Sequence, residues 1–176
     1  MALTLSHVVV HVRDLPLMLD FYGAVLGFAI TDRGPLAPDG PEIVFMSQDP
    51  GEHHQLALVP APRGDGPPAL NHMAFRVPAL GDVKTLYERI VADGRGTQPR
   101  PLCHGNTWSI YFADPERNGI EIFCDTPWHV AQPQGQPWDM STDEATLLAT
   151  TRAAFAGEPG FGPGDSYVNA RARPAP

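Results

Sequence analysis

The chain is poor in positive charge. Its 176 residues hold 12 Lys and Arg against 20 Asp and Glu, a net charge of −8, and the basic residues are scattered. That balance argues against nucleic acid or an anionic membrane surface as a partner. Cysteine is scarce too: Cys103 and Cys124 are the two present, and they do not form a CxxC pair. A disulfide framework is excluded, and reduced thiols in a cytoplasmic protein are expected. No apolar stretch approaches the roughly 20 residues of a membrane helix. The N-terminus has no basic segment followed by an apolar run, so no secretory leader is expected. What the chain does have is 43% hydrophobic residues, enough for one compact domain with a real core.

Its organisation comes from an internal repeat. Leu-Ser-His-Val-Val-Val-His-Val (5–12) and Leu-Asn-His-Met-Ala-Phe-Arg-Val (70–77) are both strand-like runs, and an offset of 65 pairs His7 with His72, Val12 with Val77 and Leu15 with Leu80. After the first run, Asp14 is placed to cap a helix that accepts Pro16 in its first turn. Leu15, Met18, Leu19, Tyr22, Val25 and Leu26 recur at helical spacing, and Gly27 ends the pattern. After the second, Val83, Leu86, Tyr87, Ile90 and Val91 do the same, ending at Gly94. Shorter strand-like runs follow each helix: Phe28–Asp32, Glu42–Ser47 and His54–Val59 in the first half, Gly96–Pro99, Thr107–Phe112 and Gly119–Cys124 in the second. Prolines 35, 38, 41, 60, 62, 67 and 68 fall between runs, and 60–68 is the natural joint. The pattern predicts an α+β fold of two βαβββ modules, about 4–60 and 68–125, within one domain over 1–130. An arm over 131–176 should cross as an irregular loop at Gln132–Pro137 and form one short helix. A capping box at Ser141-Thr-Asp-Glu144 precedes that helix, which carries Leu147, Leu148, Thr151 and Phe155. The end of the arm, 157–176, should be extended or partly disordered.

The repeat also selects candidate ligands. His7 and His72 recur with matching flanks, and Glu121 is a charge inside an apolar strand. Two histidines and a carboxylate make a facial triad that leaves open positions on a ferrous ion. Counting the His72-to-Glu121 interval from His7 lands on Leu56, which cannot ligate; a register slip of one would bring Gln55 there instead. Strand alternation puts His54 on the face of Leu56, near the metal but not bound to it, where a neutral imidazole suits proton transfer. His11 and His53 are read as sheet-end and loop-edge residues, and His129 as surface or pocket mouth. Asn106 and Thr107 are expected to shape the turn after His104.

The run His-Gly-Asn-Thr-Trp-Ser-Ile-Tyr-Phe-Ala-Asp-Pro-Glu-Arg-Asn-Gly-Ile-Glu-Ile-Phe (104–123), then Asp-Thr-Pro-Trp (125–128) and His-His-Gln-Leu-Ala-Leu (53–58), resembles the vicinal oxygen chelate superfamily. Within it the chain resembles the type I extradiol catechol dioxygenases. The resemblance implies that the paired βαβββ modules form one vicinal-oxygen-chelate domain, covering roughly 4–125. It also implies an Fe(II) site of His7, His72 and Glu121, with Mn(II) accepted by the same set. Its catalytic residues would be His54 as acid–base, with His104 and Tyr111 hydrogen-bonded to substrate. Trp108 and Trp128 would supply apolar walls. The expected partners are a small aromatic diol and dioxygen, in a homo-oligomer. Many members carry two such domains, an inactive one ahead of the active one; this sequence has one. Two other classes use the same fold: glyoxalase-like lyases or epimerases, which generally need a fourth protein ligand, and metal-free binding proteins.

Overall fold

A computed structural model describes residues 5–61 and 70–165. The prolines at 62, 67 and 68 and the end of the arm beyond 165 lie outside the described residues. The chain clusters into two compact units: Met1–Asn71 with Arg95–Thr97 and Asp114–Asn118, and His72–Gly94 with Gln98–Ala113 and Gly119–Pro176. Each contains a βαβββ module.

The first unit runs β1 (Val8–Val12), α1 (Leu15–Asp20), β2 (Ala29–Pro35), β3 (Glu42–Ser47) and β4 (Leu56–Pro60), in a four-stranded sheet ordered β1-β4-β3-β2. Asp14 caps α1 by accepting from the Leu17 N–H at 3.0 Å. The expected single helix divides. A π-helical turn, Phe21–Val25, takes over from α1 before Gly27 leaves with φ +83°. Leu15, Met18, Phe21 and Tyr22 are buried. Alternation sends Val10, Leu58 and Val44 to one face of the sheet, while Ile43, Ala57 and Val59 form a separate core cluster with Phe45 on the other. The Tyr22 hydroxyl donates to the buried Asp114 carboxylate at 3.1 Å, and Glu116 accepts from the Arg13 and Asp14 N–H groups.

The second unit repeats the plan: β5 (Met73–Arg76), α2 (Leu80–Asp93), β6 (Arg100–Cys103), β7 (Thr107–Ala113) and β8 (Gly119–Asp125), ordered β5-β8-β7-β6. Gly94 ends α2 in the left-handed region at φ +69°, as the spacing required. The strand expected at Gly96–Pro99 lies four residues later, at Arg100–Cys103. Pro101 is accommodated because β6 is the edge of the sheet, where a missing N–H breaks no ladder.

The arm begins with β9 (Trp128–His129), followed by α3 (Glu144–Phe155) and β10 (Gly162–Pro163), which pairs with β9. Its cap is Asp143 rather than Ser141. The Asp143 carboxylate accepts from the Thr146 N–H at 2.9 Å and so starts the helix two residues later than the capping-box reading. Leu147, Thr151 and Phe155 are buried, and the indole of buried Trp108 donates to Thr151 at 2.9 Å. No helix among the described residues is long and apolar enough to cross a membrane.

Candidate metal and substrate site

The hairpin of β7 and β8 builds the site in the second unit. Its antiparallel register sets Tyr111 directly opposite Glu121, so ten residues of chain become one cross-strand contact. The row continues to Ala74 on β5 and Arg100 on β6. Trp108, Ile110 and Phe112 alternate to the other face and are buried. Trp108 is therefore no wall of this site, contrary to the sequence reading, because the period of 2 sends it toward α3. Trp128 is engaged with Phe161, ring centroids 6.2 Å apart.

His72 lies just ahead of β5, and its Nε2 is 3.2 Å from the Glu121 carboxylate. Glu121 is 8% exposed, on a strand whose neighbours Ile120 and Ile122 are apolar core. Two donors about 2.1 Å from one ion and at right angles to each other lie about 3 Å apart, so this imidazole–carboxylate pair fits a first-row divalent metal. The His72 ring also meets Tyr111 edge-on at 5.5 Å.

Tyr111 is hydrogen-bonded to His104 Nε2 at 2.9 Å. The other ring nitrogen of His104, Nδ1, contacts the backbone carbonyl of Gln134. A carbonyl can only accept, so Nδ1 carries a proton; the single Tyr111 proton then has two acceptors within reach, Nε2 of the neutral ring and the Glu121 carboxylate. Burial above all, then hydrogen bonding and charge from Glu121, push the Tyr111 pKa well above the usual phenol range, against an opposing pull from Arg100. Tyr111 is thus held as a neutral hydroxyl. The turn that carries His104 requires Gly105: its φ is +81°, and an added Cβ would lie 2.5 Å from Val130 Cγ1. An open pocket on this face is lined by His104, Asn106, Thr107, Tyr111, Glu121, Phe123 and Gln132.

The first unit carries the other two site candidates. His7 is exposed just ahead of β1, and its ring lies 4.2 Å from that of His54. His54 packs on Phe45 at 4.7 Å, and its Nδ1 is 2.9 Å from His53 Nδ1. Residues 53–55 precede β4 as a bend, so strand alternation does not govern them. His54 lies against Phe45, on the Ala57 side of the sheet rather than the Leu56 side. Burial first, then the His7 and His53 rings, lower the His54 pKa and favour the neutral imidazole. Gln55 is occupied: its Oε1 accepts from the Gln48 N–H at 3.0 Å. The register also corrects the fourth corner. Ala57 pairs with both Val9 and Phe45, just as Glu121 pairs with both Ala74 and Tyr111. The counterpart of Glu121 is therefore Ala57, which no more ligates than Leu56 would.

The structure thus brings His72, Glu121, Tyr111 and His104 together in one unit, and His7 with His54 in the other. Among the described residues no three His, Cys, Asp or Glu side chains gather as a metal-holding group, so the expected set of His7, His72 and Glu121 is represented by the His72–Glu121 pair alone. His11 is exposed on β1, and His129 lies in the β9–β10 ribbon. Phe123 and Gln132 are pocket residues that the sequence reading missed. Phe123 could have been found by counting two from Glu121 along the strand; nothing local marks Gln132.

The superfamily described as Glyoxalase/Bleomycin resistance protein/Dioxygenase matches residues 4–122, and the chain belongs to it. It is 36% identical over 128 residues to biphenyl-2,3-diol 1,2-dioxygenase 3 of Rhodococcus globerulus, covering 69% of this chain and 63% of that protein. It is 32% identical over 126 residues to biphenyl-2,3-diol 1,2-dioxygenase 2 of the same organism, covering 68% and 62%. The chain thus spans less than two thirds of the length of either relative. Among solved structures, the fosfomycin resistance protein FosX of Listeria monocytogenes, in complex with Mn(II) and sulfate, superposes with a TM-score of 0.57 at 21% identity, covering 72% of this chain and 95% of that one. At that identity the likeness speaks for the fold alone. Homologues with about one third identity are catechol-type dioxygenases, which supports an enzyme of this superfamily.

Proposed function

We propose that the protein is an extradiol ring-cleaving dioxygenase acting on a catechol-type aromatic diol. The observation that carries this reading is the His72–Glu121 pair at 3.2 Å, on the pocket face and beside the Tyr111–His104 hydrogen bond. His7 completes the ligand set by its place in the repeat, 65 residues before His72 with matching flanks. Fe(II) is the expected ion, and Mn(II) accepts the same ligands. When bound, the ion would offer positions to both diol oxygens and to dioxygen and mediate electron flow between them.

The chain's own residues do the rest. Tyr111, a neutral hydroxyl hydrogen-bonded to His104 Nε2, presents its oxygen to a substrate hydroxyl. His104 cannot turn away, because its Nδ1–H is held by the Gln134 carbonyl. His54, neutral by burial and by its histidine neighbours, can take a proton from the diol and later return it. Phe123 gives the ring an apolar wall. Ala57 offers no fourth ligand, which sets this arrangement apart from lyases and epimerases that need one.

The test is oxygen uptake by protein loaded anaerobically with Fe(II). Uptake and a coloured ring-opened product should appear with an unblocked catechol and vanish with its mono-methyl ether, which cannot present two hydroxyls. A sample that consumes no oxygen with any catechol in a broad panel, yet isomerises a thiol adduct, would replace this reading with a lyase.

A further inference from the structure

The pocket's polar edge is held from outside the βαβββ module, by the arm. Gln132 is exposed and lines the pocket, and its side chain makes three well-placed bonds. Its Nε2 donates to the His104 carbonyl at 2.8 Å and to Asn106 Oδ1 at 3.2 Å, and its Oε1 accepts from the Gln134 N–H at 3.0 Å. Gln134 is the residue whose carbonyl accepts from the His104 Nδ1–H. One amide therefore grips both ends of the arrangement: the turn that carries His104 and the loop that dictates its tautomer.

We propose that Gln132 is a positioning residue that sets the hydrogen-bond polarity of the His104–Asn106 edge. Two consequences follow from the donors and acceptors. With Gln134 held in place, His104 keeps its proton on Nδ1, and the neutral ring turns a bare Nε2 to Tyr111. With Asn106 Oδ1 taken by Gln132, the Asn106 NH2 is the half of that amide left for a ligand in the pocket. The edge then offers a substrate oxygen one amide donor and one phenol oxygen. Without Gln132 the Asn106 amide can flip and the imidazole can exchange tautomers, so the pocket would present a mixture of patterns. The part of this inference that concerns diol binding rests on the dioxygenase reading; the tautomer does not.

Two variants separate the contacts. Gln132→Leu removes these three bonds together with a longer one, at 3.4 Å, from Nε2 to the Val130 carbonyl. Gln132→Glu keeps an oxygen for the Gln134 N–H but loses the donor to His104 and Asn106. Side-chain 15N NMR of the full chain, with neither metal nor substrate, reads the His104 tautomer directly. The expected result is a single Nδ1–H tautomer in the wild type and in Gln132→Glu, and a mixture in Gln132→Leu. The backbone spectrum of β7 and β8 should be unchanged in both, which rules out misfolding as the cause. With the Fe(II)-loaded protein, the KM for a catechol should rise about tenfold in both variants, with a smaller change in kcat, the size of effect usual for one lost hydrogen bond. An Nε2–H tautomer in the wild type, or a Gln132→Leu spectrum identical to the wild type, would overturn the proposal. Inactivity of the wild type toward every catechol would overturn the dioxygenase reading and leave the tautomer result standing.

Discussion

Each unit crosses its sheet with one row of four residues, and the two rows differ in kind. In the second unit the row is Ala74, Glu121, Tyr111, Arg100; in the first it is Val9, Ala57, Phe45, Asp32. A histidine precedes the first strand in both, His72 in one and His7 in the other. Where the second unit has a carboxylate and a phenol, the first has a methyl group and a phenyl ring. Without those oxygens the first unit's face is a small apolar core, with Ile43 and Val59 packed around Ala57. The same backbone plan therefore supports a polar site in one copy and, in the other, an apolar seat on which Phe45 holds His54. The rows differ at all four positions, with the loss of oxygens at the two central ones, while the strand order is the same.

The largest expected effect falls on the first unit's contribution to chemistry. His54→Phe should leave Fe(II) binding intact and slow catechol turnover by about 10²–10⁴-fold, the usual cost of a lost acid–base group. Steady-state kinetics on samples of equal metal content check this, and a matching loss of metal would make His54 a ligand instead. Next, the rows can be exchanged at their centre. Ala57→Glu puts an unpaired carboxylate into a fully buried position, and denaturant unfolding should show a loss of about 3–5 kcal/mol. Glu121→Ala should change the stability of metal-free protein by no more than about 1 kcal/mol, because its partner His72 is 34% exposed and can turn to water. Equal costs for the two changes would mean that the rows are not the distinct environments described above.

The parts of this comparison set by short-range rules were legible in the sequence. Asp14 caps α1 and Gly94 ends α2 because those roles depend on a few neighbouring residues. The histidine repeat was visible because strand starts keep their spacing. Register was not visible: counting from His7 reached Leu56, yet the second parallel pair is shifted by one relative to the first, and Ala57 faces Phe45. His54 lies beside His7, ring centroids 4.2 Å apart, but a bend carries it where alternation predicts a strand. Gln132 was illegible because its partners His104 and Asn106 are 28 and 26 residues away and meet it only through tertiary packing.

Smaller effects sharpen the picture. Tyr111→Phe removes the hydroxyl bonded to His104 Nε2 and should weaken kcat/KM for catechols by about 1–3 kcal/mol, read as a fall of roughly fivefold to 150-fold. The smallest effect concerns thiols. Cys103 and Cys124 are both buried and free, and burial raises both pKa values, that of Cys124 from 9.0 to about 11. A raised thiol pKa contributes stability that is complete below 9.0 and lost as pH rises through about 11. Native protein at pH 8 should therefore leave both thiols unlabelled by a disulfide reagent, with two labelled on unfolding; rapid native labelling would contradict their burial.

The central proposal is that His72 and Glu121, with His7 chosen by its place in the repeat, are the ligands of one metal ion. Anaerobic Fe(II) titration of the wild type against His7→Ala, His72→Ala, Glu121→Ala and His54→Phe tests it most directly. The account predicts one ion per chain in the wild type and in His54→Phe, and binding weakened beyond detection in the other three. Undiminished binding in His7→Ala, His72→Ala or Glu121→Ala, or a loss confined to His54→Phe, would contradict it.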